Sequence, residues 1–311
     1  MLFLHIIMQR HYRMQTSRNE SDIWHVSRLL SWMTDYFSEK NIESPRLSAE
    51  LLLCMTLDCN RVNLYTSFDK PLEKHELDFL KKLIMRRAAF EPVSYITGEK
   101  GFLLYDFFVS RDVLIPRPDT ERLVEVVFEL FSEKKSEKIK ILELGTGSGA
   151  ISISLADYFK NCLVVSTDIS FEAIKIAVKN SLKYGVEKKI IFVNTSWFNG
   201  LSNLEKFDLI VSNPPYIRRG DIDSLQPEIR KYEPFKALDG GIDGLDCIRE
   251  IIGTAGLFLK NNGFLIIEAG HDQKEDIEKI TEKTKDLFFE EMIKDYGKRD
   301  RVAVIKKKSV G

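Results

Sequence analysis

Apolar residues follow a helical rhythm in the first part of the chain. Between residues 21 and 90 they recur every three or four positions, as expected of helices that bury one face. The first run comprises Trp24, Leu29, Leu30, Met33 and Phe37. Ser44 followed by Pro45 predicts a helix start, and a later helix is expected from about Glu73 to Phe90. This region therefore predicts a small helical bundle, in which the aromatic side chains pack.

From about residue 138 the pattern changes to short apolar runs that alternate with amphipathic stretches. The runs KIKILELG, CLVVSTDI, KIIFVNT, FDLIVSN and GFLIIEAG have the length and composition of strands. Helices are predicted in SGAISISLADYF, in FEAIKIAVKNSLKYG and around Leu245–Leu259. Nearly continuous apolar strands that alternate with helices indicate a mostly parallel sheet covered on both faces, a doubly wound α/β fold. The last segment, FFEEMIKDYGKRDRVAVIKK, predicts a hairpin at one sheet edge, with its turn near Gly297.

Chain length and these two patterns together predict two domains. A chain of 311 residues exceeds the size at which a single core usually divides. The predicted parts are an N-terminal extension (1–20), a helical domain (21–92), a linker or small hairpin (93–120) and an α/β domain (121–311). The linker is rich in aromatic residues, ends at Pro116 and Pro118, and is expected to lie on the cleft.

Composition narrows the classes of protein that fit. Hydrophobic residues make up 44% of the chain and charged residues 30%, which describes an ordinary globular protein. The net charge of −1 weakens a nucleic-acid-binding role, because dedicated binders are strongly basic. No apolar run approaches the ~18 residues of a membrane span. The four cysteines form no CxxC pair, so free thiols in a reducing compartment are expected and no metal site is predicted.

The N-terminal segment affects the predicted location of the protein in the cell. The first 19 residues, MLFLHIIMQRHYRMQTSRN, are apolar and then basic, with no acidic residue. We interpret them as an extension before the first helix, and we expect a cytoplasmic monomer without a membrane partner. If this segment were a transit peptide, the location would instead be the mitochondrial matrix.

A glycine-rich loop follows the first predicted strand of the α/β domain. In ILELGTGSGA, three glycines at positions 145, 147 and 149 allow a tight turn, and the following helix start offers free N–H groups to an anion. Asp168 ends the next strand, 23 residues after Gly145, where a carboxylate can accept hydrogen bonds from ribose hydroxyls. An adenosine-containing cofactor is therefore expected. The spacing Gly145-x-Gly147-x-x-Ala150 also satisfies the looser dinucleotide fingerprint, so at this point an NAD enzyme remains an alternative.

The fourth strand ends in Asn213-Pro214-Pro215-Tyr216. In an open α/β sheet, ligands bind at the carboxyl ends of the strands where the strand order reverses, so this tetrapeptide should face the cofactor cleft. Proline restricts both itself and the preceding residue, so the turn is stiff. The Asn213 side-chain oxygen and the Pro214 carbonyl are two acceptors for a planar NH2 group, and Tyr216 can stack on it. We predict Asn213, Pro214 and Tyr216 as catalytic residues, and the whole tetrapeptide as the substrate-binding site.

An NH2 group held beside an adenosine cofactor favours methyl transfer over hydride transfer. In S-adenosylmethionine a nitrogen nucleophile can meet the sulfonium methyl group in line, and orientation can supply about 7–11 kcal/mol in favourable cases. The tetrapeptide contains no histidine or carboxylate to act as a base, so we expect the proton to leave to solvent. The methionine carboxylate of the cofactor would meet the helix start after Gly147, and Asp168 would bind its ribose.

Six motifs carry a resemblance to a known family. They are VLIPRPDTE (113–121), ILELGTGSGAI (141–151), TDIS (167–170), SNPPYI (212–217), EPFKALDGGIDGL (233–245) and GKRDRV (297–302). Over about residues 22–306 the chain resembles the release-factor glutamine N5-methyltransferases of the HemK/PrmC type. The resemblance implies a helical domain that helps to bind the substrate protein and a seven-stranded, Rossmann-like methyltransferase domain. It also implies methylation of the glutamine in the Gly-Gly-Gln motif of peptide chain release factors.

The resemblance also implies roles for individual residues. The implied cofactor contacts are Gly145, Thr146, Gly147, Ser148, Gly149, Asp168, Trp197 and Asn213, and the implied glutamine contacts are Asn213, Pro214, Pro215 and Tyr216. The loop at Arg117 is implied to line the site. Two features depart from the family: Ser196 stands before Trp197 where an acid is usual, and GFLLYDF lacks the usual aromatic-glycine pair.

Three alternatives compete with a release-factor enzyme. A related enzyme modifies a glutamine of a ribosomal protein through the same tetrapeptide, but PRPDTE favours the release-factor branch. An amino methyltransferase that acts on nucleic acid would need a basic face, and the helical half concentrates no lysine or arginine. A non-catalytic adaptor would not need an intact tetrapeptide and glycine loop. Release factors are thus the expected partners, with no direct nucleic-acid contact.

Overall fold

The structure is a computed structural model that describes residues 23–204 and 206–309. The predicted N-terminal extension, residues 1–20, lies outside the described residues. The chain divides into two compact units, Met1–Thr97 and Gly98–Gly311. In the part of the chain that is described, no helix is long and apolar enough to cross a membrane.

The first unit is helical, as its apolar spacing predicts. Its helices are α1 (Val26–Glu39), α2 (Pro45–Leu57), α3 (Arg61–Thr66), α4 (Lys74–Ala88) and α5 (Val93–Thr97). Pro45 occupies the first turn of α2, where its missing N–H costs no hydrogen bond. A capping box formed by Glu73 and Glu76 starts α4. One cluster of buried apolar side chains forms the core of this unit.

The predicted linker, residues 93–120, contains several different elements. It begins with α5, which belongs to the helical unit. An antiparallel hairpin follows, made of β1 (Glu99–Phe102) and β2 (Tyr105–Phe108). The segment ends in the first turn of the next helix, α6 (Pro118–Leu130), which starts on Pro118.

The second unit is a doubly wound α/β fold with a seven-stranded sheet, which confirms the predicted fold class. Its strands are β3 (Lys138–Leu144), β4 (Asn161–Asp168), β5 (Ile190–Asn194), β6 (Phe207–Ser212), β7 (Leu259–Glu268), β8 (Leu287–Lys294) and β9 (Asp300–Lys307). Their order is β5-β4-β3-β6-β7-β9-β8, and the first five in this order are parallel. The C-terminal hairpin of β8 and β9 lies at one edge and pairs antiparallel to β7.

Helices cover both faces of this sheet. After α6 the helices of this unit are α7 (Ala150–Tyr158), α8 (Phe171–Lys183), α9 (Pro227–Tyr232), α10 (Asp246–Ala255) and α11 (Lys274–Glu282), and all of them except α9 bury residues. Successive residues of β3 therefore pack into different hydrophobic cores, Ile141 into one and Leu142 into the other. The strands are apolar on both faces for this reason.

One boundary differs from the prediction. The helix expected around Leu245–Leu259 ends at Ala255, and Leu259 is already the first residue of β7. The polar run KNNG after Leu259 hides this strand start in the sequence. Its Lys260 ammonium group lies 2.7 Å from the Asp208 carboxylate on the neighbouring strand, so a cross-strand ion pair replaces apolar packing here.

The reversal of strand order positions the two chemical motifs. β3 and β6 are adjacent and parallel, and Leu144 pairs with Ser212 at their carboxyl ends. The Ser212 hydroxyl donates a 2.7 Å hydrogen bond to the Leu144 carbonyl. The glycine loop follows Leu144 and the Asn-Pro-Pro-Tyr turn follows Ser212, so the two loops leave the sheet side by side, where ligands of such folds bind.

Candidate active site

A cavity of about 800 Å³ opens at this edge of the sheet. Its wall comes from the segment after the β1–β2 hairpin, the glycine loop, the carboxyl ends of β4, β5 and β6, and residues 234–239. This volume lies within the range of small-molecule sites, about 300–1,000 Å³. The predicted site residues in the wall are Gly145, Thr146, Gly147, Ser148, Asp168, Trp197, Asn213 and Pro215.

The three glycines of the loop adopt backbone angles that favour glycine. Gly145, Gly147 and Gly149 have φ values of +79°, +53° and +82°. A Cβ atom at Gly149 would lie 3.2 Å from the Ala177 Cβ of α8, so this glycine lets that helix pack closely against the start of α7. A Cβ at Gly147 would meet no atom within 4 Å, so the backbone there is open to approach by a ligand.

Asp168 is held against the glycine loop. Its two carboxylate oxygens accept 2.8 Å hydrogen bonds from the backbone N–H groups of Gly147 and Ser170. Burial raises the pKa of the Asp168 carboxyl, although both hydrogen bonds oppose the rise. Each oxygen keeps a lone pair, so the carboxylate can also accept hydrogen bonds from two hydroxyls of a ligand.

A second acid, Glu143, lies beneath the loop and was not predicted. It is fully buried, and it accepts hydrogen bonds from the hydroxyls of Thr146, at 2.8 Å, and of Ser166. Burial raises the pKa of its carboxyl against these bonds. Its Oε1 atom has no hydrogen-bond partner among the described residues. The available signal was an acid among the apolar residues at the carboxyl end of the strand, in ILEL.

Trp197 forms the wall beside the start of the glycine loop. Its ring lies 3.6 Å from the position that a Cβ atom would take at Gly145, which is van der Waals contact, so the positive φ and not lack of space favours glycine there. Trp197 has a positive φ of 46°, and its ring packs partly on the apolar core of this face. Thr195 and Ser196 precede it in the cavity wall.

The Asn213 side chain is tethered on one side. Its Nδ2 donates a 3.0 Å hydrogen bond to Thr120 Oγ1, and the Thr120 hydroxyl donates at 2.6 Å to Glu268. The Tyr216 hydroxyl donates to the other oxygen of Glu268, at 3.0 Å. Thr120 belongs to the PRPDTE motif and Glu268 ends β7, so the fold joins three distant segments behind the tetrapeptide.

Three predicted site residues do not contribute to the cavity wall. Gly149 faces the packed helices, Pro214 is buried, and the Tyr216 ring packs on the apolar core with its hydroxyl on Glu268. Burial raises the pKa of Tyr216 strongly, and the nearby Glu268 carboxylate raises it further. The stacking role of Tyr216 and the acceptor role of the Pro214 carbonyl therefore stay predictions.

The DGGIDG segment packs directly against the tetrapeptide. A Cβ atom at Gly244 would lie 2.5 Å from the Tyr216 carbonyl oxygen, and one at Gly240 would lie 2.8 Å from the Tyr216 Cα. Gln273 Nε2 donates a 3.0 Å hydrogen bond to the same Tyr216 carbonyl. The glycines of this motif therefore permit the backbone contact that holds the turn.

Arg117 makes an ion pair instead of lining the cavity. Its guanidinium lies 2.5 Å from the carboxylate of the buried Glu233, which starts the EPFKALDGG motif. Burial raises the pKa of Glu233 even with this partner. The neighbouring Pro116 and Thr120 do line the cavity. The pair thus links two of the motifs on which the family resemblance depends.

Asn180 on α8 is a further residue that the sequence reasoning missed. It is fully buried, and its Nδ2 donates to the carbonyls of Ser148, at 2.8 Å, and Phe108, at 3.0 Å. Its Oδ1 accepts from the Phe108 N–H at 2.8 Å. One carboxamide therefore fastens the β1–β2 hairpin to the glycine loop. A polar residue on the buried face of an amphipathic helix was the available signal.

These groups suit an adenosine-containing ligand that also carries a charged end. The start of α7 offers N–H groups to an anion, the open backbone at Gly147 leaves room for a ligand, the Asp168 carboxylate offers acceptors to hydroxyls, and Trp197 offers an aromatic face. A solved structure shares the fold. The chain is similar to the crystal structure of a methyltransferase from Pyrococcus furiosus, with a TM-score of 0.50, 20% identity, and coverage of 73% of this chain and 99% of that one.

Sequence comparison identifies the family. Residues 28–98 match the PrmC N-terminal domain, and residues 123–227 match the methyltransferase small domain. The release factor glutamine methyltransferase of Geobacter sulfurreducens is 41% identical over 256 residues, covering 82% of this chain and 88% of the relative. That of Buchnera aphidicola is 41% identical, covering 86% and 94%. The chain therefore belongs to the release factor glutamine methyltransferase family. It is a methyltransferase, and its cofactor is S-adenosylmethionine.

Proposed function

We propose that the protein methylates the side-chain amide nitrogen (N5) of the glutamine in the Gly-Gly-Gln motif of peptide chain release factors. The observation that carries the proposal is the tethered Asn213, which lines the cavity directly beside the glycine loop. Family membership supports the same substrate, because the similar proteins of G. sulfurreducens and B. aphidicola are named for glutamine methylation of release factors.

We assign the cofactor to the glycine-loop side of the cavity. S-adenosylmethionine, when bound, supplies an electrophilic methyl group on a sulfonium centre. The N–H groups at the start of α7 would bind its carboxylate, the Asp168 carboxylate its ribose hydroxyls, and the wall at Trp197 its adenine. The 2.8 Å hydrogen bond from Gly147 to Asp168 supports this division, because it fixes the carboxylate before any ligand arrives.

We assign the glutamine to the tetrapeptide side. The Asn213 side-chain oxygen and the Pro214 carbonyl would accept the two hydrogens of the substrate amide and hold its nitrogen in line with the methyl group. Holding the nitrogen there removes much of the entropic barrier, which can amount to about 7–11 kcal/mol. After transfer, the methylated amide nitrogen is strongly acidic and gives its proton to water, so the chain supplies no base.

Labelled S-adenosylmethionine tests the substrate class. The protein would be incubated with a purified release factor, the same factor carrying alanine for the glutamine of Gly-Gly-Gln, a ribosomal protein and DNA. We expect label in the unmodified release factor alone. Label in nucleic acid only, or equal labelling of the alanine variant, would overturn the proposal.

The Asn213→Ala variant tests the proposed grip. We expect turnover to fall by about 10²- to 10³-fold, the usual cost of removing one oriented hydrogen-bonding group from an active site. Cofactor affinity, measured by calorimetry, should stay within a few fold. Unchanged turnover would refute the role of Asn213 even if the release factor proves to be the substrate. The predicted monomeric state and cytoplasmic location are separate proposals, tested by light scattering and cell fractionation.

A further inference from the structure

We propose that Thr120 and Glu268 are positioning residues that determine which way the Asn213 carboxamide faces. Thr120 lies in the first turn of α6, Glu268 ends β7, and Asn213 follows β6, so the three meet only through the fold. The inference rests on the proposed function, because it assigns the purpose of the orientation to glutamine binding. Its test includes a measurement that does not need the substrate.

The hydrogen bonds of the Thr120 hydroxyl determine which end of the Asn213 carboxamide faces it. The Thr120 hydroxyl has one hydrogen, and its oxygen lies 2.6 Å from Glu268 Oε2 and 3.0 Å from Asn213 Nδ2. When the hydrogen points to the carboxylate, which is the stronger acceptor, the Thr120 oxygen must receive a hydrogen from Asn213. Only the NH2 end of the Asn213 carboxamide can supply it. Thr120 thus selects the amide end that faces it.

Burial raises the pKa of the Glu268 carboxyl, whereas the hydrogen bonds from Thr120 and Tyr216 and the charge of Arg301 oppose this rise and favour the carboxylate form that the arrangement requires. The Tyr216 hydroxyl lies 3.0 Å from Glu268 Oε1, and its other polar neighbour, Arg301 Nη1 at 3.5 Å, is a donor with no lone pair to offer. Tyr216 therefore donates to Glu268. Arg301 is itself held by the Ala269 carbonyl, at 3.1 Å, and by the Asp295 and Asp119 carboxylates, and its positive charge lowers the pKa of the Glu268 carboxyl.

The tether leaves the oxygen of Asn213 available to a ligand. Asn213 lines the cavity, and its Oδ1 accepts no hydrogen bond from the residues that the structure describes. An NH2 group in the cavity would therefore meet an acceptor. If the carboxamide turned over, two NH2 groups would face each other and the grip on the substrate amide would be lost. Thr120 and Glu268 prevent that rotation without touching the reacting atoms.

Kinetics of Thr120 variants test the positioning role. Thr120→Val keeps the shape and removes the hydroxyl, so we expect kcat with the release factor to fall by about 10- to 100-fold, consistent with the loss of one or two buried hydrogen bonds. The dissociation constant for S-adenosylmethionine should stay within about twofold, which is below the cost of a lost hydrogen bond. Thr120→Ser keeps the hydroxyl and should restore most of kcat. Unchanged kcat in Thr120→Val, or equal loss in both variants, would overturn the proposal.

A matched control separates positioning from the general cost of losing a buried hydroxyl. Thr281 on α11 is fully buried, and its hydroxyl donates at 2.8 Å to the Ile277 carbonyl of its own helix. Thr281→Val should leave kcat and cofactor affinity unchanged. A fall in kcat as large as that of Thr120→Val would show that the Thr120 effect is merely structural.

A direct measurement of the Asn213 NH2 group works whether or not the substrate is correct. In the full chain labelled with ¹⁵N-asparagine, the Asn213 side-chain signal is the one lost in Asn213→Ala. We expect slow exchange of its hydrogens with solvent in the wild type and Thr120→Ser, and faster exchange in Thr120→Val. Fast exchange in the wild type would overturn the tether. Slow exchange in a wild type that fails to methylate release factor would support the tether and refute only the proposed substrate.

Discussion

The buried acid of a structural cluster in the helical unit differs from the buried acids beside the predicted site in the sheet unit. In the helical unit, Glu50 is 2% exposed and lies 3.0 Å from Arg46, 2.7 Å from Arg61 and 2.5 Å from the Tyr65 hydroxyl. Burial opposes ionisation of Glu50, but the hydrogen bonds from Tyr65, Arg46 and Arg61 outweigh it and lower the pKa of its carboxyl. The charge is fully compensated, and the cluster is structural.

In the sheet unit three acids beside the predicted site lack such an ion pair, whereas the buried Glu233 and Asp295 of the same unit have arginine partners. Glu143 and Glu268 are satisfied mainly by hydroxyl groups, and burial raises the pKa of both carboxyls. The pKa of Asp168 is also raised by burial. All three support the glycine loop or the tetrapeptide, so the imperfectly compensated acids occur where ligands are expected to bind.

The difference between these acids indicates where the protein retains groups that lower its stability. A buried acid without a cation lowers the free energy of unfolding, and a purely structural site has no reason to retain one. Shifted pKa values cluster at functional sites because the site needs polar groups held in a dry environment. The buried cluster at Glu50 fits stability, whereas the acids of the sheet unit fit ligand binding. Three predictions test this contrast.

We expect the largest effect from the buried cation of the helical unit. Arg87 is 2% exposed and donates to the Ser48 hydroxyl, at 3.1 Å, and to the carbonyls of Glu91, at 3.0 Å, and Glu43, at 3.2 Å. Arg87→Met should lower the free energy of unfolding by about 3 kcal/mol, because it leaves buried acceptors without donors. Urea unfolding followed by hydrogen exchange in peptides of the helical unit measures the loss.

The control for this variant is Lys82→Met, which removes a positive charge from the exposed side of the same helix, α4. It should change the free energy of unfolding by less than about 0.5 kcal/mol. Cofactor affinity should be unchanged in both variants. A loss of cofactor affinity in Arg87→Met would break the contrast between a structural helical unit and a ligand-binding sheet unit.

A smaller effect, on binding instead of stability, is expected at Glu143. Glu143→Ala releases the hydroxyls of Thr146 and Ser166 from beneath the glycine loop, and charged hydrogen bonds are worth about 1.5–3 kcal/mol each. The dissociation constant for S-adenosylmethionine should rise about 10- to 100-fold, as calorimetry would show. Glu50→Ala is the matched variant in the helical unit, and its cofactor affinity should equal that of the wild type. Equal losses in both variants would contradict the assignment of Glu143 to the binding site.

The smallest effect is a difference in the pH dependence of stability. The pKa of Glu143 is raised above its ordinary 4.5, so its contribution to stability is full below pH 4.5 and is lost as pH rises through the raised pKa. The pKa of Glu50 is lowered, so its contribution is present above pH 4.5 and is lost as pH falls through the lowered pKa. Mild acidification should thus stabilise the sheet unit through Glu143 and leave the contribution of Glu50 intact.

Hydrogen exchange in peptides from each unit, corrected for the intrinsic effect of pH on exchange, measures this difference. Glu143→Gln and Glu50→Gln isolate the two groups, because each removes the titration and keeps the shape of the side chain. The contribution of each acid is the difference in free energy of unfolding between the wild type and its glutamine variant. We expect the contribution of Glu143 to fall as pH rises and that of Glu50 to increase. If both contributions changed with pH in the same direction, the two carboxyls would have pKa values shifted in the same direction, which would contradict the contrast.

Much of the fold was accessible from local patterns. The strand runs predicted β3 to β6 and the terminal hairpin, and Pro45 marked the start of α2, because period and turn chemistry depend on neighbours in sequence. The start of β7 was hidden because Lys260 replaces apolar packing with an ion pair to another strand. The same held for the site. The glycine loop, Asp168 and the tetrapeptide could be predicted from local sequence, whereas Glu143 and Asn180 could not, because their roles depend on contacts with distant segments.

The sequence by itself determined the stiff turn at Asn213 and Pro214 and the open backbone at Gly147, since steric restriction acts within one or two residues. Only the tertiary structure decided what stands behind them. The hydrogen bond between Thr120 and Glu268 joins residues 148 positions apart, and the backbone contact of Gly244 with Tyr216 joins two separate loops. Such contacts depend on the order in which strands pair and on the space that packing leaves, and neither is a local property of the chain.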